Sequence, residues 1–136
     1  MNMSPRMALL TLAWALCGAS QARGAESEIE GCFNLSNDQV VACIEPLHQR
    51  SEDELNATVQ GIRARLKVDL QLFDAAQRAW LEFRSRECAV QSITARGYRD
   101  PERQEVLLLK ACQVELNNAR IQGLKRLQLY CDNCLH

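Results

Sequence analysis

Apolar residues recur along this chain at steps of three and four. Leu55, Val59, Ile62 and Leu66 form one such stripe, and Phe73, Ala76, Trp80 and Phe83 form a second. A third runs through Leu109, Cys112, Leu116, Ala119, Gly123 and Leu127. Each stripe marks one face of an amphipathic helix. No run alternates with a period of two, and β-branched residues do not cluster. The pattern predicts an all-α protein: a disulfide-linked antiparallel helical bundle of about three main helices plus a short N-terminal one.

Punctuation residues place the boundaries. Ser36 followed by Gln39 fits a capping box that opens a short helix. That helix is expected to stop near Glu45, since Pro46 disfavours smooth continuation and could open the next one. Gly97-Tyr98-Arg99-Asp100-Pro101 reads as a turn, with glycine past one helix end, Asp100 capping the next helix and Pro101 in its first position. The stretch from Leu66 to Phe73 has neither Gly nor Pro. Asp69 could cap a new helix there, giving a hairpin with its turn at 67–69. The competing reading is one helix from about Pro46 to Arg96, which would need a partner chain to bury its stripe.

The start of the chain belongs to another class of segment. Met7 to Ala19 is almost wholly apolar, follows Arg6, and leads to the small residues Ser20 and Ala22 that flank Gln21. Residues 1–22 therefore read as a cleaved signal peptide, and the run is too short for a spanning helix. Residues 23–31 read as a mobile polar lead-in and 32–136 as one domain. Leu16 stands before Cys17 where an acylated cysteine would want a small residue, so lipidation is not expected. The protein is expected in the periplasm or secreted.

Loss of residues 1–22 leaves six of the seven cysteines: Cys32, Cys43, Cys88, Cys112, Cys131 and Cys134. An even number in an exported domain implies a disulfide framework. Nine residues separate Cys88 from Gly97, and eleven separate Pro101 from Cys112. At ~1.5 Å rise per residue the two depths differ by only ~3 Å. A Cys88–Cys112 bridge between antiparallel helices is thus permitted. Cys32–Cys43 with Cys131–Cys134 is the most local completion, and crossed pairing of the two ends is its rival.

Loss of Arg6 takes the 16 basic side chains to 15 against 17 acidic ones, a formal charge of −2. Nothing in that balance calls for nucleic acid or a membrane surface. Glu52-Asp53-Glu54 reads as a solvated face near a helix start. Trp80 and Phe83 read as core. Arg84 and Arg120 are expected to lie over the Trp80 indole or to pair with Glu87 or Glu82. Cys131, Cys134 and His136 invite redox or metal readings. Against redox, the pair follows a helix C-terminus with Asp132 between the thiols, where the thiolate is disfavoured. Against metal, a fourth ligand is lacking nearby. No catalytic triad, phosphate loop or cofactor motif is visible, so no enzyme activity and no cofactor are expected.

Taken together, Gln77, Trp80, Phe83, Arg84, Glu87 and Cys88, with Cys112, Arg120 and Leu124 downstream, resemble the LprI-type lysozyme-inhibitor family. Leu55-Asn56 also matches the family's preceding helix, and Cys32 and Cys43 resemble its N-terminal cysteine pair. The likeness spans about Cys32 to Tyr130. It implies a small exported helical domain that acts by binding a protein, with a lysozyme-like muramidase as target. Gln77, Trp80, Phe83, Arg84, Glu87 and Arg120 would then be motif residues of the fold. Arg96, Tyr98 and Arg99 in the exposed turn are the candidate partner contacts. The alternatives are a periplasmic thiol, redox or metal-binding protein using Cys131 and Cys134, or a non-inhibitory envelope or immunity-type interaction protein.

Overall fold

The computed structural model describes residues 22–66 and 68–129. Four α-helices follow in order: α1 (Ala22–Phe33), α2 (Asn37–Arg65), α3 (Leu70–Gln91) and α4 (Pro101–Leu129). A 3₁₀ helix, Ser92–Gly97, joins α3 to α4, and the described residues contain no strand. α4 is the central element and packs against all three other helices and the 3₁₀ segment. The expected all-α, disulfide-linked bundle is what forms.

The predicted hairpin between α2 and α3 is present, and the single long helix is not. Asp69 occupies the residue before α3, but in the left-handed region at φ 59° and without a side-chain cap. Its carbonyl instead accepts the Phe73 N–H at 3.0 Å. A short polar residue tolerates that conformation better than most, so the chain reverses here without glycine. At the other turn, Asp100 Oδ1 accepts the Arg103 N–H at 3.2 Å, capping α4 as expected.

Pro46 does not end a helix. It lies inside α2, where it removes a hydrogen bond to the Ala42 carbonyl at a cost of ~3 kcal/mol. Ala42 and Pro46 both sit on the exposed side, where water can take that carbonyl. The opposite side is held by Ile44, packed with Cys32, Val40 and Leu107, and by the half-buried Cys43 and Leu47. Packing on both sides of the proline keeps the helix continuous. At its start, Gln39 Oε1 accepts from the Ser36 backbone and hydroxyl at 3.4 and 2.8 Å.

The segment expected to be a mobile lead-in is helical from Ala22. A helix this short is marginal alone. It is held because Ile29, 3% exposed, packs on Ala111 and Val114, while Cys32 is bonded to Cys43. Cys88 is bonded to Cys112, with Cα atoms 5.5 Å apart in both bridges. These two pairs exclude the crossed arrangement. Cys17, Cys131, Cys134, His136 and residues 1–21 of the expected signal peptide lie outside the described residues.

The α2 stripe is buried as predicted. Leu55, Val59 and Ile62 meet Ile121 and Leu124, with Leu66, Phe73 and Trp80 packed against them. The stripes of α3 and α4 are rotated from the predicted ones. On α3 the inward face is Phe73, Gln77, Trp80, Arg84 and Cys88, whereas Ala76 and Phe83 are exposed. On α4 it is Leu107, Ala111, Val114, Asn117, Ile121 and Leu124, joined by Cys112. Leu109 and Leu116 are only half-buried, and Ala119 and Leu127 face outward. Both shifts have one cause: polar Gln77, Arg84 and Asn117 occupy inward positions that hydrophobicity assigns to the surface.

Candidate functional site

Four of the motif residues, Gln77, Trp80, Arg84 and Arg120, converge where α2, α3 and α4 meet. Trp80 lies between two arginines: the Arg84 and Arg120 guanidinium carbons stand 5.5 and 5.6 Å from its ring centroid. A cation over an indole face is attracted by the ring quadrupole. The expected arginine–indole stacking is therefore present twice. The expected ion-pair partners are not. Arg84 Nη1 donates to Glu52 Oε1 and to Asn117 Oδ1, both at 2.6 Å. Glu52 comes from α2, so the acidic run is not wholly a solvated face.

Asn117, with no exposed surface, donates through Nδ2 to Ser51 Oγ at 3.1 Å and Glu52 Oε1 at 3.0 Å. The Ser51 hydroxyl donates to the His48 carbonyl at 2.9 Å. His48 Nε2 lies 2.8 Å from Gln113 Oε1 and 3.7 Å from Glu52 Oε1. On the other side of the indole, Arg120 Nε and Nη2 both donate to Gln77 Oε1, at 3.2 and 3.0 Å. Burial pushes the Arg120 guanidinium below its ordinary range, though a guanidinium stays charged at neutral pH. Among the described residues, Arg84 Nε is buried without an acceptor.

This constellation ties α2, α3 and α4 together through side-chain hydrogen bonds. Its carboxylate, Glu52, is committed to Arg84 and Asn117. Buried polar groups tied to one another in this way fix relative helix positions. Of the motif residues, Gln77, Trp80, Arg84 and Arg120 are brought together. Phe83 points outward, and Glu87 accepts from Gln91 Nε2 at 3.1 Å along its own helix. Ser51, Glu52, His48, Gln113 and Asn117 are members that the sequence reading missed. Asn117 carried a signal, since it sits midway between Val114 and Ile121 at steps of three and four.

A second feature lies at the end of the bundle. Tyr98, more than half exposed, borders a shallow hollow of ≈ 350 Å³ with Phe33, Leu35, Val40, Gln104, Leu107 and Leu108. Phe33 ends α1 and Leu35 stands on the α1–α2 connection, where the Cys32–Cys43 bridge pins α1 to α2. Tyr98 stands on the connection from the 3₁₀ helix to α4. Arg103 reaches Asp38 at 3.5 Å, tying the starts of α4 and α2. Arg96 and Arg99 flank the tyrosine and are exposed. The candidate contact residues thus share a surface with apolar side chains from a distant part of the chain.

A larger hollow of ≈ 490 Å³ lies between α1, α2 and α4, with Ile29, Leu47, Val114 and Ile121 among its lining. Arg50–Glu28 and Lys125–Glu54 ion pairs stand at its rim. Among the described residues, no group of three or more His, Cys, Asp or Glu is placed to hold a metal ion. None of the described helices is long and apolar enough to cross a membrane.

An uncharacterized protein of Rhizobium meliloti is 25% identical over 142 residues, covering 94% of this chain and 99% of that protein. No solved structure matches. The family model described as lysozyme inhibitor LprI matches residues 32–124, from the first bridged cysteine to the last core leucine. The chain belongs to the LprI lysozyme-inhibitor family.

Proposed function

We propose that this protein is an exported inhibitor of lysozyme-like muramidases that acts by binding, through the bundle end around Tyr98. The observation that carries the reading is the family match across residues 32–124. The site described above supports it in a second way. The motif cluster is consumed by helix packing, so the binding surface lies elsewhere.

At the bundle end, two arginines and a tyrosine stand beside an apolar hollow, and the Cys32–Cys43 bridge pins one side of that hollow. Tyrosine and arginine are the residue types that most often anchor protein interfaces. A muramidase is a glycosidase, and such enzymes place a pair of carboxyl groups across the scissile bond. Arg96 and Arg99 offer cations to such an acidic cleft, even where the rest of the target is basic. The Tyr98 ring supplies flat apolar surface beside them.

Export is supported by the apolar run that follows Arg6 and by the two disulfide bridges, which persist in oxidising compartments. The test is the rate of peptidoglycan lysis by a panel of muramidases with and without the pure protein. Slowed lysis by at least one, with binding in a pull-down, is the expected result. Unchanged lysis across the panel together with no binding would refute the inhibitor reading.

A further inference from the structure

The two bridges are not equally open to chemistry. Cys32, Cys88 and Cys112 are 0%, 0% and 3% exposed. Cys43 is half-buried, and Gln39, Ala42 and Pro46 around it on α2 are exposed. Exchange with an outside thiol requires that a thiolate reach one sulfur of a disulfide. Cys32–Cys43 can be entered at Cys43, whereas both ends of Cys88–Cys112 are buried.

The bridges also hold different things. Cys88–Cys112 joins α3 to α4, which the Arg84–Asn117 and Arg120–Gln77 bonds join as well. α2 is tied to α4 independently, by His48–Gln113, Lys110–Glu45 and the Asn117 bonds. α1 is held by less. It is 12 residues long, and a helix of that length is marginal by itself. Among the described residues, its anchors besides the bridge are Ile29 on Ala111 and Val114, and the Glu28–Arg50 pair. The side chains of that pair are 58% and 65% exposed, so it contributes little.

We propose that Cys32–Cys43 is a redox-sensitive switch. A dithiol opens it selectively, α1 undocks, and the hollow beside Tyr98 is dismantled while α2, α3 and α4 stay packed. First, a thiolate of the dithiol attacks Cys43 Sγ, and Cys32 leaves as a thiolate that takes up a proton. The dithiol's other thiol then loses its proton and displaces Cys43, which is protonated in turn as the reagent closes its own disulfide. The protein bridge is reduced and the dithiol is oxidised. Phe33 follows Cys32 directly and Leu35 lies three residues on, so both leave the hollow with α1. Val40, Leu107 and Leu108 stay behind on α2 and α4. Any effect on target binding rests on the inhibitor reading; the undocking does not.

Graded dithiothreitol applied to the full oxidised chain tests it, with free thiols trapped by iodoacetamide and located by peptide mapping. Cys32 and Cys43 should be labelled at a reductant concentration about tenfold below that needed for Cys88 and Cys112. Amide hydrogen exchange at that stage should speed by about tenfold or more over residues 24–35 and stay slow in the middle of α2, α3 and α4. The double variant Cys32→Ser, Cys43→Ser should show the same exchange pattern without reductant. Opening of Cys88–Cys112 first, or together with the other bridge, would overturn the proposal. So would slow exchange over residues 24–35 once Cys32 and Cys43 are free thiols, or loss of protection in all four helices at once. Neither readout involves a muramidase, so failure of the switch and failure of the inhibitor reading are told apart.

Discussion

Replacing Arg84 with methionine removes the cation that links all three main helices. The side chain is only 14% exposed, and its Nη1 serves Glu52 and Asn117 at 2.6 Å each. A hydrogen bond to a charged group contributes ~1.5–3 kcal/mol, and the indole contact adds ~0.5–1 kcal/mol. The loss is moderated because Glu52 is about a quarter exposed and keeps the Asn117 amide. Methionine also keeps much of the stem's packing. A net cost of ~3 kcal/mol follows, equivalent to a fall in melting temperature of roughly 10 °C.

Urea denaturation followed by circular dichroism reads the cost directly. The decisive comparison adds Glu52→Gln alone and the double variant. If the charge pair is what matters, the two changes should be non-additive by ~2 kcal/mol, since each single variant strands the other partner. A cost below ~1 kcal/mol with additive effects would refute the view that this network locks the bundle.

Three further outcomes are expected. Pro46→Ala should stabilise the protein by about 1–3 kcal/mol by restoring the bond to the Ala42 carbonyl, measured in the same urea assay; destabilisation would show that the proline is accommodated without cost. Cys88→Ser with Cys112→Ser should cost ~3 kcal/mol, and loss of Cys32–Cys43 slightly less because its loop is shorter, as compared by thermal melts. The Lys110 hydrogen bond holds the Glu45 carboxyl below its ordinary value of 4.5. Because the folded-state value is the lower one, the pair's contribution is present above the unfolded value and fades as pH falls through the folded one. The stability gap between wild type and Lys110→Met should therefore narrow as pH drops below about 4.5, and a constant gap would count against the pairing.

Much of this architecture is legible in the residues, for identifiable reasons. The α2 stripe, the Asp100-Pro101 helix start and the Cys88–Cys112 bridge depend on local chemistry and simple helix arithmetic. Pro46 is misleading because its cost is local while the packing of Ile44 and Leu47 that offsets it is not. The inward faces of α3 and α4 are misread because a buried network puts Gln77, Arg84 and Asn117 where apolar residues are expected. Stacking of Arg84 on Trp80 is foreseeable at a spacing of four on one helix. Its pairing with Glu52 is not, since the two are brought together only when α2 packs beside α3. The gathering of Phe33, Leu35 and Tyr98 around one hollow depends in the same way on tertiary structure.

If the motif is structural and the turn around Tyr98 binds the target, as proposed, the two roles separate in one experiment. The triple variant Arg96→Ser, Tyr98→Ser, Arg99→Ser changes only exposed side chains, so its melting temperature should match wild type. Inhibition of a responsive muramidase should weaken by about tenfold or more, as expected when interface anchors are removed. The Arg84→Met protein, assayed below its lowered melting temperature, should inhibit normally. Full inhibition by the triple variant, or its selective loss in the folded Arg84→Met protein, would contradict the account.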